Sequence, residues 1–173
     1  EILKLIDSAP LEIYKVPRKN YFMGKWIMHS GWYPNFRQPQ LFKKGKMTYT
    51  MDSVHEGFIS HSNMDIGKLK NVIWQFPFKN TEEVMHKANR YSTLGVLKLK
   101  EKNINGSVLK AFFHGLWSFI KHYIVKLGFL DGGAGFVIAF GNFEGTFYRY
   151  LKLTESQKKW NPPQTQPIKK NSK

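Results

Sequence analysis

A chain of 173 residues, 42% apolar and 16% aromatic, carries enough material for one domain with a core and is not disordered as a whole. Its 27 Lys and Arg against 12 Asp and Glu leave a formal charge of +15. That excess favours polyanionic partners: nucleic acid, anionic lipid headgroups or phosphorylated substrates. The absence of cysteine excludes disulfides, thiolate metal sites and cysteine nucleophiles, and permits a reducing compartment.

The chain opens on "EILKLIDSAPLEIYKV", with no initiator Met and no signal peptide. It starts as if in the last turns of an amphipathic helix, with Ile2, Leu3, Leu5 and Ile6 as the apolar face and Ser8-Ala9-Pro10 as the stop. Such a start is expected of the C-terminal part of a longer protein. Leu11 to Arg18 reads as a strand. "KNYFMGKWIMHSGWYPNFRQPQ" then reads as a long aromatic-rich connection, punctuated by Gly24, Gly31, Pro34 and Pro39; a connection of that length is usually functional. Short strands are expected at Gln40–Phe42 and Met47–Met51, joined by the basic turn Lys43–Lys46, with a further strand over Gly57–Ser62. Asp65–Val72 is ambiguous. A helix capped by Asn80 or Thr81, with Glu83 bonding back, is expected through "EEVMHKANRYSTLGVLKLK".

Ser107 to Leu127 reads as one helix. Lys110, His114, Ser118, Lys121, His122 and Lys126 share one side, and apolar residues including Phe112, Phe113 and Trp117 fill the rest. Its apolar runs are far shorter than the roughly 20 residues of a spanning helix. A broad apolar arc edged by Lys is the pattern of an interfacial membrane helix, and equally of a helix packed in a core. Next, Gly128, Gly132, Gly133 and Gly135 surround Asp131 in a sharp turn that Asp131 is expected to cap. These glycines lack the GxGxxG or GxxxxGK spacing of a phosphate loop and follow a helix, so they make a weak nucleotide site. From Thr154 the sequence turns proline-, glutamine- and lysine-rich, as a mobile basic tail would be.

The stretch "MDSVHEGFISHS" pairs His55 with Glu56. It lacks the HExxH spacing of a zinc helix, and His61 lies too far on. Taken alone the pair is a solvated polar turn or a carboxylate general base.

Several segments in order resemble the C-terminal half of bacterial family-2 glycosyltransferases: "NYFMGKWIMHSGWYPNFRQPQLFKKGKMTYTMDSVHEGF", "HKANRYSTLGV" and "FIKHYIVKLGFLDGGAGFVIAFGNFEGTFYRYLKL". The nearest branch adds glucose or related sugars during lipopolysaccharide-core assembly. The likeness runs from about Leu11 to Leu153, with Asn35, Gln40 and Gln75 standing where an acidic residue, an arginine and a histidine are common. It implies an α/β architecture: the C-terminal portion of a GT-A fold (the nucleotide-diphospho-sugar transferase fold), with short mixed strands followed by amphipathic membrane-interface helices. Residues 1–105 would be the acceptor-side remainder of the catalytic domain, 106–153 a membrane-associating helical segment and 154–173 a flexible tail. A divalent metal, Mg or Mn, would be held by ligands in a nucleotide-binding half upstream of Glu1, leaving this chain inactive alone.

By the same likeness Glu56 is the general base that deprotonates the acceptor hydroxyl, with His55 orienting it or touching the donor phosphates. Arg37, Lys87 and Arg90 would meet phosphate, Trp32 or Trp26 would stack on a sugar ring, and Asn89 and Tyr91 would be structural. Phe112, Phe113, Trp117 and Lys121 would form the membrane interface. The implied partners are a nucleotide-sugar donor, a lipid-linked glycan or lipopolysaccharide-core acceptor, and the anionic inner face of the bacterial cytoplasmic membrane. The competing expectation is a non-catalytic basic module that binds anionic membrane or nucleic acid. Nucleic acid is the poorer fit, because the aromatics lie in apolar helices and glycine turns and no known binding motif is present.

Overall fold

The structure, a computed structural model, describes residues 1–8, 10–50 and 57–158. Their order is helix α1 (Ile2–Ser8), strands β1 (Ile13–Lys15), β2 (Arg18–Phe22), β3 (Lys25–Trp26), β4 (Pro39–Phe42), β5 (Met47–Tyr49), β6 (Phe58–Ser60), β7 (Gly67–Lys68) and β8 (Ile73–Gln75), then helices α2 (Thr81–Glu101), α3 (Val108–Ile120) and α4 (Gly132–Gln157). This is a mixed α/β chain with small mixed sheets.

The strand expected over Leu11–Arg18 holds β1 and only the first residue of β2, the rest of which falls in the expected connection, and the two strands belong to different sheets. β1 lies between antiparallel β4 and parallel β7, and β2 between antiparallel β3 and parallel β8. Pro17 marks the crossing. It has no N–H to donate, but its carbonyl accepts Ile73 N at 3.0 Å, just after Lys15 O has accepted Leu69 N at 2.9 Å. The connection expected over 19–40 also holds structure. Met23 and Gly24, at φ 50° and 74°, turn β2 back onto β3 in the left-handed conformation that a two-residue hairpin needs. β8 carries no alternation to reveal it; Trp74 and Phe76 stack instead on Tyr21, with ring centres 5.3 and 5.6 Å away. The ambiguous stretch before it contains β7.

Asn80 caps α2, its side chain accepting Glu83 N at 3.0 Å, while Glu83 reaches one residue further back, to Lys79 N. Ser107 caps α3 in the same way. α3 ends at Ile120 and passes through a π-helical turn, Lys121–Val125, then a short 3-10 turn, Gly128–Asp131, into α4. A Cβ on Gly135 would fall 1.8 Å from the Gly128 carbonyl oxygen, so glycine there is what lets α4 start against the turn. α4 continues to Gln157, so Thr154–Gln157 is helix where a tail was expected.

One core cluster joins the β2–β3 hairpin to the helices: Phe22 and Ile27 pack with Ala134 and Ile138, flanked by Trp32, Phe78, Val84 and Val137. Each large side chain so buried contributes about 1.5–3 kcal/mol. A second cluster, Tyr14, Val16 and Leu69, sits under α1, which delivers only Leu5 to it and leaves Ile2, Leu3 and Ile6 exposed. α4 also packs on α2, where Lys152 Nζ donates to Asn89 O, Asn89 Oδ1, Ser92 Oγ and Thr93 Oγ1 at 2.6–3.0 Å.

Candidate functional site

A cleft of about 690 Å³ opens between the end of β2, the Trp32–Arg37 segment, the inner face of α2 and the middle of α4. Six cationic side chains line it: Arg18, Arg37, Lys87, Lys98, Lys102 and Arg149. None of the described lining residues is acidic, and among the described residues no carboxylate lies within salt-bridge distance of any of the six. Lys87, Tyr91, Gly95, Lys98 and Lys102 recur at helical spacing, so α2 turns one face to the cleft. Beneath the cleft is an apolar annex of about 220 Å³ that shares Trp32, Phe78, Lys87, Tyr91, Asn142 and Arg149 with it and is floored by Gly141 and Gly145 of α4.

Two of the cations are held by neutral partners. Lys87 Nζ donates to the Pro77 carbonyl and lies 4.5 Å over the Phe78 ring. Arg18 Nη1 donates to Gln75 Oε1 at 3.4 Å. Burial, with Arg37 nearby, pushes the Arg18 guanidinium below its ordinary pKa. Arg149 Nε is buried with no hydrogen-bond partner among the described residues, and a Cβ on Gly95 would lie 2.5 Å from it. Space for that guanidinium exists because position 95 carries no side chain.

Trp32 reaches the cleft on a segment fixed from two sides. Asn20 Nδ2 donates to Trp32 O at 2.9 Å, and Asp131 ties the preceding residues. Asp131 was expected to cap its own turn; its side chain makes no capping bond to α4. Its carboxylate, 2% exposed, instead accepts Met28 N at 3.2 Å, His29 N at 3.0 Å and Ser30 Oγ at 3.2 Å. His29 Nδ1 lies 3.2 Å from Oδ1, and Lys25 Nζ donates to the Asp131 carbonyl at 3.0 Å. The sequence spacing hides this contact, because the partners are about a hundred residues apart.

Of the residues singled out by sequence, Trp32, Arg37 and Lys87 come together in the cleft. Arg90, one residue before Tyr91, is exposed on α2 and is not among the residues lining it. Trp26 faces Lys19 Nζ at 4.1 Å and the edge of Tyr33, so packing occupies its ring. Asn89 serves as an acceptor for Lys152. His61 Nε2 lies 3.0 Å from Thr48 Oγ1 across β5 and β6. His55 and Glu56 lie outside the described residues. Arg18, Lys98, Lys102 and Arg149 belong to the cleft without having been marked by sequence. The i, i+4 spacing of Lys98 and Lys102 was a signal for two of them; Arg18 and Arg149 gave none.

A second surface lies on α3. α3 turns its small residues, Ala111 and Gly115, inward against α4, where a Cβ on Gly115 would sit 3.0 Å from the Phe143 ring. Its large apolar residues point outward: Leu109 is 70% exposed, Phe113 62%, Trp117 59%, with Phe112 and Leu116 beside them. Exposed Val125, Phe129, Leu130, Phe136 and Phe140 extend the surface around the turn, and Lys110 and Lys121 are exposed on the same helical run. Among the described residues no single helix is long and apolar enough to cross a membrane; only α3 and α4 together, as a bent pair, meet that length and composition.

Compared with known proteins, the chain matches no family model and no solved structure.

Proposed function

We propose that this chain forms the acceptor side of an inverting GT-A glycosyltransferase that transfers a sugar from a nucleotide-sugar donor to a lipid-linked glycan or lipopolysaccharide-core acceptor. It would work as a peripheral enzyme on the inner face of the bacterial cytoplasmic membrane. The observation that carries this reading is the convergence of Trp32, Arg37 and Lys87, marked as donor and substrate residues by resemblance and up to 55 positions apart, on one cationic cleft.

In this reading Glu56 takes the proton of the acceptor hydroxyl. The hydroxyl oxygen bonds to the anomeric carbon as the bond to the nucleoside diphosphate breaks on the opposite face, inverting the configuration. His55 orients Glu56, the cations of the cleft hold phosphate, and Trp32 offers its ring for a sugar to stack on. A lining of six cations without a carboxylate does not suit a divalent metal, so no step is assigned to one here; Mg or Mn would be held by residues outside this chain. The outward apolar face of α3, with Phe112, Phe113, Trp117 and Lys121, rests on the lipid surface.

The test is product stereochemistry. A protein carrying this chain together with a nucleotide-binding half, given an α-linked nucleotide sugar and a lipid-linked acceptor, should yield a β-linked product by NMR. A retained configuration would remove the single-displacement mechanism.

The exposed apolar face of α3 also favours a second reading, a non-catalytic module bound to anionic membrane. Binding to anionic vesicles without sugar transfer by any protein containing the chain would support it.

A further inference from the structure

The cationic cleft carries more charge than one diphosphate matches. A nucleotide-sugar diphosphate brings about two negative charges, fewer than the six cations that line the cleft. Six cations line about 690 Å³: Arg18 and Arg37 come from β2 and the segment before β4, Lys87, Lys98 and Lys102 from α2 and its end, and Arg149 from α4. Like charges gathered in one cavity repel, and packing alone gives no reason to gather them. Two of the six already show an unmet demand. Among the described residues, Arg149 Nε is buried without a partner and Arg18 has only a long bond to Gln75. Buried guanidinium donors are normally satisfied, and phosphate satisfies them in pairs.

We infer that this cleft binds a ligand bearing at least two phosphate groups, one held by Arg18 and Arg37 and the other by Lys98, Lys102 and Arg149. Under the function proposed above, on which this step rests, the acceptor is then a multiply phosphorylated glycan. The anion site itself is measurable without any transfer reaction.

The probes are inorganic phosphate, pyrophosphate and tripolyphosphate, titrated calorimetrically into the full chain at physiological ionic strength. Tripolyphosphate should bind at least ten-fold more tightly than phosphate. Arg37→Gln combined with Arg149→Gln should weaken it at least ten-fold. Lys43→Gln combined with Lys44→Gln, which removes the same charge from an exposed turn outside the cleft, should change it less than two-fold. Equal losses in both pairs would mean diffuse attraction to a +15 chain and would overturn the inference, as would equal affinity for phosphate and tripolyphosphate. If the Arg149→Gln chain melts early, Arg149→Lys replaces it: charge is kept, paired donation is lost, and a several-fold weakening is still expected. Vesicles carrying a diphosphorylated lipid separate the sources. Competition by tripolyphosphate for vesicle binding supports a lipid-borne ligand in the cleft, and binding of tripolyphosphate without competition supports a soluble one. Loss of polyphosphate binding specificity alongside intact Glu56-dependent transfer would remove this ligand and leave the enzyme.

Discussion

The buried carboxylate of Asp131 accepts the backbone N–H of His29 at 3.0 Å across 102 residues of chain. That bond and its neighbours at Met28 and Ser30 lock the turn before α4 to the segment that presents Trp32. Replacing Asp131 with Ala leaves these donors unpaired in a buried place, at a cost of about 3 kcal/mol. The melting temperature should fall by roughly 6–12 °C. A change of under 2 °C would show that the clamp is dispensable.

Lys152 gathers four acceptors of α2 from a position on α4. Lys152→Met keeps the aliphatic length and removes the bonds. Urea unfolding should show a loss of about 1–2 kcal/mol with an unchanged slope. No loss would mean that water replaces the ammonium without cost, as it does for many exposed groups.

Gly145 lies in the interior of α4 with open space where a Cβ would go. Gly145→Ala should therefore stabilise the helix by about 0.5–1 kcal/mol, through helix propensity and a stiffer unfolded chain. Destabilisation in a thermal melt would contradict the open annex beside it.

Burial holds His122 below the ordinary histidine range; its Nδ1 contact with the Ser118 carbonyl opposes this, while Lys126 and Lys121 add to it. The folded state thus binds that proton less readily than the unfolded chain. Its contribution is fully present above the unfolded pKa of about 6.5 and is lost as pH falls below it. Stability measured between about pH 7.5 and 5.5 should decline less steeply in His122→Gln than in the parent. Equal slopes would place the acid sensitivity elsewhere.

Trp117 and Phe113 are exposed, so their replacement by Ser should barely move the melting temperature. Binding to anionic vesicles should nevertheless fall at least ten-fold in the double variant, since each ring brings apolar area to the lipid boundary. Unchanged vesicle binding would take the α3 face out of the membrane reading.

The helices were legible because caps and periodicity are local: Asn80 and the apolar spacing of 108–120 stand in the sequence itself, while Ser107, read as part of its helix, is the residue that caps it. The strands were less so. β2, with the sequence RKNYF, is mostly polar and reads as part of a connection until its pairing with β3 and β8 defines it, and β8 depends on β2 for its existence. In the cleft, Trp32, Arg37 and Lys87 were marked by resemblance, but the charge around them was not. Arg149 joins only because α4 packs across α2 at Gly95, a contact between residues far apart in the chain. Asp131 was misread for the same reason: a carboxylate at a helix start looks like a cap, and only tertiary structure reveals its distant donors.

The most direct test is sugar transfer by a protein carrying this chain and a nucleotide-binding half, compared with its Glu56→Gln form. The account predicts that the variant binds donor nearly as well and loses transfer by at least about 100-fold, the contribution of a general base. Transfer at the parent rate would contradict it.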